Sequence, residues 1–250
     1  MLGPEPVGLG CGACGASFPV VDGISLLVSD PDAWLAEERL AVLCRHDLPG
    51  PLLERLVRGG PNPLQRSLRR LWTYHHSRVG PLQDAVQQAI SALPGPILEL
   101  GAGLGAHGRA ELTAVDLDWV LLSRNPAQQR ILADALAPPF APGQFAAVVA
   151  LNLLDSCRDP LGLIDVMAAQ LANDGQLLLA SPLAYEDHIT PISAQLDQAG
   201  VEAALSARGF TWTVEVHDWP LRTHPRTVSV HTGLLWRAWR GGSPLRPADV

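Results

Sequence analysis

The hydrophobic pattern of the chain changes rhythm at Pro96. Before it, apolar residues recur at three- and four-residue spacing. After it, short apolar runs bounded by glycine, proline and acids alternate with helical patterns. "PILEL" (96–100), "LTAVDL" (112–117), "RILADA" (130–135), "FAAVVALN" (145–152) and "GQLLLASP" (175–182) predict five buried strands. "DPLGLIDVMAAQLA" (159–172) and "ISAQLDQAGVEAALSARG" (192–209) predict helices between and after them. "FTWTVEVHDWP" (210–220) and "RTVSVHTGLLWRAW" (226–239) predict two long strands around a proline-rich turn. Alternating strands and helices imply a parallel sheet with helices on both faces. The last two strands have no helix between them and are expected to pair antiparallel.

The first part of the chain reads differently. "FPVVDGISLLV" (18–28) is strand-like. "DPDAWLAEERLAVLCRH" (30–46), "PLLERLVRG" (51–59), "PLQRSLRRLWTYHH" (63–76) and "PLQDAVQQAISAL" (81–93) predict helices, the first opened by an Asp-Pro cap signal. The expected organisation is an N-terminal ribbon or β-hairpin over 1–29, a helical segment over 30–93, an α/β domain over 94–240 and a loose tail over 241–250.

Composition narrows the function. In 250 residues, 47% hydrophobic and 17% charged, a packed core is easily supplied. The formal net charge of −7 argues against a sequence-independent hold on nucleic acid. No apolar run is long enough for a membrane span, and the first residues do not read as a secretory signal. A cytoplasmic protein is expected. All 18 basic residues are arginine, which excludes a phosphate-loop lysine, a Schiff base and a lysine base. Four cysteines (Cys11, Cys14, Cys44, Cys157) are too few for a disulfide scaffold.

The most informative stretch is "ILELGAGLGAHGRAELTAVDLD" (97–118). Two glycine registers fit it. Gly103 to Gly108 is a formal G-x-G-x-x-G, as in dinucleotide folds, but it starts two residues after the strand has ended at Leu100. It also leaves Asp116 too near for the acid that such a fingerprint places about 20 residues on. The other register is Glu99 followed by Gly101, Gly103 and Gly105, beginning where the strand ends.

That second register resembles the first motif of class I S-adenosylmethionine (SAM) methyltransferases, and four further stretches in order, through residue 182, resemble the rest of that family's core. The resemblance implies a Rossmann-like sheet and SAM as cofactor. It implies that Glu99, Gly101, Ala102, Gly103 and Gly105 form the amino-acid end of the site. Asp116 and Leu117 would meet the ribose, Asp134 and Ala135 the adenine, and Asn152 would touch SAM or substrate. One departure stands out: the six residues from Ala106 to Glu111 leave room for only one or two turns of the helix that normally follows the loop.

"LGCGACGASFPVVDGISLLV" (9–28) resembles the second half of a Trm112-like zinc ribbon. Its upstream cysteine pair is missing, and Cys44 and His46 fall in a helical pattern, so zinc is not expected. Methyl transfer needs placement of the acceptor and exclusion of water, and a base only where a proton must leave early. The candidates near the C-terminal strand ends are His188, His76 and Tyr185, with Asp155, Trp72, Tyr74 and His75 beside them. Arg222, His224 and Arg226 in the hairpin turn could hold a carboxylate.

The expected function is methyl transfer to a small-molecule or peptide metabolite. The alternatives are an rRNA or tRNA methyltransferase and a non-catalytic methyltransferase-like subunit. A protein partner or homodimer stays open.

Overall fold

The computed structural model describes residues 9–13, 15–18, 20–21, 23–30, 33–34, 70–75, 77, 80–105, 112–224 and 226–240. Cys14, Cys44, His46, His76, most of the helical segment, the stretch after the glycine loop and the tail lie outside the described residues.

The core is a nine-stranded mixed sheet. Its centre is β5 (Ile97–Leu100), with β6 (Leu112–Asp116) and β7 (Gln129–Leu132) on one side and β8 (Phe145–Leu151) and β9 (Leu171–Ser181) on the other, all parallel. These segments become strands because they are apolar on both faces. Ile97 packs into one core and Leu98 into the other; Val149 and Val148 divide in the same way. β10 (Phe210–His224) and β11 (Thr227–Arg240) pair antiparallel, and β11 joins β9 antiparallel, as expected from the missing connecting helix.

Three helices have clear local causes. α1 (Pro81–Ser91) starts with proline at its first position and buries Leu82, Val86, Ala89 and Ile90. α3 (Pro160–Gln170) is capped by Asp159, whose carboxylate accepts from the Gly162 N–H at 2.9 Å. α4 (Gln198–Ala207) is capped by Asp197. This cap corrects the expected helix over 192–209. The chain before Asp197 is instead tied as a loop, with Gln195 bonded to Asp187 and the Leu196 N–H donating to the Tyr185 hydroxyl. A short helix absent from the sequence reading, α2 (Trp119–Leu122), follows β6. Asp118 caps it by accepting from the Val120 and Leu121 N–H groups.

The N-terminal ribbon divides. β1 (Leu9–Gly10) and β2 (Ser17–Phe18) form a separate two-stranded sheet. β3 (Val20–Val21) and β4 (Ile24–Leu26) instead extend the main sheet: β4 lies parallel to β7, and Ile24 and Leu26 are fully buried. Beyond β4, Trp34 packs edge-on to Trp119 and donates its indole N–H to the Leu117 carbonyl at 3.1 Å.

At the other end, β11 pairs with β9 only from Leu234 to Trp239. The hairpin from His217 to Gly233 therefore projects past the C-terminal end of β9. It meets the segment around α1, where the Arg222 N–H donates to the Ser77 hydroxyl at 2.9 Å.

Candidate functional site

The C-terminal ends of β5 to β9 open into a cavity of about 500 Å³. This is the position that a doubly wound sheet gives to ligands. Glu99, Gly101, Ala102, Gly103, Gly105, Asp116, Leu117, Asp134, Ala135 and Asn152 all line it. So do Trp34 and Tyr74, from two separate stretches of the helical segment, and Trp219, from the projecting hairpin.

The glycine turn is built as follows. Gly101, Gly103 and Gly105 all have positive φ (67°, 49° and 58°), which explains their alternation in the sequence. A Cβ on Gly101 would meet Leu153 at 2.8 Å. The turn's own N–H groups are largely used internally. Ala102 donates to the Val115 carbonyl, Gly105 to the Ala102 carbonyl, and Gly103 to Asp116 Oδ2 at 2.7 Å. The turn therefore offers a ligand a close approach to its Cα surface more than an array of amide donors.

Asp116 is held from both sides: Oδ1 accepts from the Asp118 N–H at 2.7 Å while Oδ2 accepts from Gly103. Burial pushes its carboxyl up to about 6, against the lowering effect of these two bonds. Each oxygen keeps a second lone pair for a further donor. Glu99, buried in the adjacent strand, is pushed up to about 8, first by burial and then by the Asp116 charge.

Asp134 uses one oxygen to accept from the Leu136 N–H at 2.9 Å, and the other to pair with Arg158 at 2.9 Å. Arg158 lines the cavity beside it. Asn152, at the end of β8, has φ of 52°, a conformation asparagine tolerates better than most residues, and its N–H donates to the Ala180 carbonyl. Asp155, one turn on, accepts from the Ala184 N–H at 3.0 Å and ties the two loops after β8 and β9 together. Burial raises its carboxyl.

The candidate bases are placed differently. His188 is exposed, pairs with Glu186 at 3.5 Å, and is not among the lining residues. Tyr185 accepts from Leu196 in the loop before α4 and also stands apart from the lining. His76 lies outside the described residues. Arg222 and His224 are not among the lining residues; the Arg222 backbone N–H donates to the Ser77 hydroxyl, and the His224 Nδ1 accepts from the Arg226 N–H. Tyr74 is the member of "WTYHHS" that reaches the cavity. Burial raises its phenol, and the charges of Asp116 and Asp155 add to that rise while Arg70 opposes it. Cys157 also lines the cavity, but burial pushes its thiol to about 11, which disfavours a thiolate.

Several lining residues were absent from the sequence reading: Trp34, Arg70, Gln83, Arg158 and Trp219. A cap signal at Asp118 was visible before "WVLL". Nothing local marked the tryptophans as site residues.

Among the described residues, no group of three or more histidines, cysteines or acids could hold a metal ion. No described helix is long and apolar enough to cross a membrane.

No protein-family model matches the chain, and no curated protein matches it. Its structure is similar to a SAM-dependent methyltransferase of Thermotoga maritima, with a TM-score of 0.52, 12% identity, and 71% of this chain and 98% of that one covered. Weaker likenesses link it to the YcgJ protein of Bacillus subtilis (0.48, 13%, 68% and 100%). They also link it to a complex of the Haloferax volcanii Trm112 methyltransferase activator with a methyltransferase (0.47, 16%, 63% and 89%). Neither of these two adds to the fold assignment. The order β7-β6-β5-β8-β9-β11-β10, the antiparallel β11 and the Thermotoga likeness together make the fold that of the Rossmann-like, SAM-dependent methyltransferases.

Proposed function

We propose that this chain is a SAM-dependent methyltransferase acting on a small-molecule or peptide metabolite. The observation that carries the proposal is the convergence of ten positions, from four separate stretches of sequence, on one cavity at the strand ends. In this reading residues 94–240 bind the cofactor, residues 30–93 cover it, and residues 1–29 buttress the edge of the sheet.

The donor set suits SAM. Asp116 is oriented by two N–H bonds and retains lone pairs for two ribose hydroxyls. Asp134 stands where an exocyclic amine could be received, beside the backbone of Ala135 and Leu136. The close approach at Gly101 and Gly103 suits the amino-acid end. SAM supplies an already activated methyl group. The protein's task is then to align the acceptor and exclude water. Tyr74 and Trp219 reach the cavity from above the strand ends and are positioned to shape that space. Tyr74 lines the cavity, which Tyr185 and His188 do not, and in this reading its hydroxyl orients the acceptor.

Calorimetry with SAM and S-adenosylhomocysteine tests the reading. Binding of both at micromolar concentrations is expected. No binding of either at millimolar concentration would overturn it and leave the scaffold alternative.

A further inference from the structure

The six residues between Gly105 and β6 are too few for the helix that usually follows such a turn. A helix there would help fix the turn. The structure offers another support. Asn125, in the connection from α2 to β7, is only 4% exposed and lies against the turn. Its Nδ2 donates to the Gly103 carbonyl at 3.1 Å and the Ala102 carbonyl at 3.3 Å. Its Oδ1 accepts from the Ala127 N–H at 2.9 Å. The amide therefore has one orientation only: reversing it would set oxygen against two carbonyls and nitrogen against an N–H.

The contact is close as well as polar. A Cβ on Gly105 would lie 2.7 Å from both Nδ2 and Oδ1 of Asn125. Gly105 must be glycine here for its φ of 58° and also because the Asn125 amide occupies the side-chain space. Together with Asp116, Asn125 clamps a single residue from two sides. Asp116 takes the Gly103 N–H, and Asn125 bonds the Gly103 carbonyl.

From this geometry we infer that Asn125 is a positioning residue for the cofactor. It holds the glycine turn in its binding conformation, in the role that a full helix would otherwise serve. The inference rests on the methyl-donor reading of the site. Asn125 stands among the supports of the turn and not among the cavity-lining residues, so it acts through Gly103 and Gly105.

The test uses Asn125→Ser in the full chain. Serine can still accept from the N–H two residues on, keeping the local turn, but its hydroxyl is too short to reach the two carbonyls. Two measurements are made. Hydrogen exchange at 101–105 in the ligand-free protein reads the clamp directly. Calorimetry with S-adenosylhomocysteine reads its consequence. The expected result is faster exchange across the turn and at least a ten-fold loss of affinity, with exchange in β8 and β9 unchanged. Unchanged exchange at 101–105, or affinity within two-fold of the parent, would overturn the inference.

If Asn125→Ser does not fold, Asn125→Asp supplies the second arm, since it keeps the shape and the acceptor for the Ala127 N–H but sets an oxygen against the Ala102 and Gly103 carbonyls. It is expected to give the same exchange signature at 101–105, and a protected turn would again overturn the inference. A parent protein that binds neither SAM nor its product refutes the functional proposal instead, and the exchange measurement still reports on the clamp.

Discussion

Glu99 and Asp116 stand at the ends of neighbouring parallel strands, and the charge on Asp116 helps keep the Glu99 carboxyl protonated. With Glu99 pushed up to about 8 and Asp116 to about 6, a neutral acid and a carboxylate share one cavity wall at neutral pH. Burial raises both carboxyls, and the difference between them comes from hydrogen bonding. Asp116 is relieved by two N–H bonds, which favour its charged form.

This arrangement has a cost in stability that depends on pH. Glu99 binds its proton more tightly folded than unfolded, so its contribution is full below the unfolded value of 4.5 and is lost as pH rises towards about 8. Glu99→Gln should flatten that fall. Thermal melts from pH 5 to 9 are expected to show the variant gaining on the parent from pH 5 upward, with the gain levelling off above about pH 8 and reaching at least a few degrees there. Parallel curves would contradict the buried, neutral assignment.

Cofactor affinity should move in the opposite direction. In the proposed reading the Asp116 carboxylate accepts from the ribose, so S-adenosylhomocysteine binding is expected to weaken as pH falls through about 6. In Asp116→Asn the affinity should drop at least ten-fold at pH 7.5 and lose this acid limb. Calorimetry at pH 5.5, 6.5 and 7.5 checks both.

Gly101→Ala places a methyl 2.8 Å from Leu153 and forces a non-glycine residue to φ of 67°. The left-handed backbone alone costs roughly 1–2 kcal/mol. Chemical denaturation should show at least this loss. Adding Leu153→Ala should recover the steric part but not the backbone part, leaving the double variant less stable than Leu153→Ala alone.

Arg158→Ala breaks the pair with Asp134 at a site where the guanidinium is 66% exposed. Such a pair contributes little to folding, about 0–1 kcal/mol. The melting temperature is expected to stay within about 2 °C of the parent, while cofactor affinity changes because the orientation of Asp134 does. A large stability loss with unchanged affinity would assign the pair to the fold and not to the site.

Much of this was legible in the sequence because it is local. The five central strands announce themselves as apolar runs, since both their faces are buried. Asp116 and Asp134 are singled out by the resemblance of their stretches to a methyltransferase core, and both line the cavity. The rest depends on non-local geometry. β4 is three residues long, and its pairing with β7 cannot be inferred from either segment alone. Trp34 and Trp219 look like ordinary core aromatics until separate segments converge over the strand ends. Asn125 reads as a turn residue, which it also is. Its hold on Gly103 appears only when chain segments 22 residues apart are folded together. The expected helix from 192 began too early because alanine and leucine spacing outweighed the cap at Asp197.

The parallel seat of Ile24–Leu26 beside Arg130–Leu132 sets the order of events during synthesis. β4 can pair at once with the preceding β3, but it must wait for about a hundred further residues to leave the ribosome before its parallel partner β7 exists. Until then the edge that Ile24–Leu26 offers to β7 stays unpaired. The sheet is closed at this margin only once the middle of the molecule has been assembled.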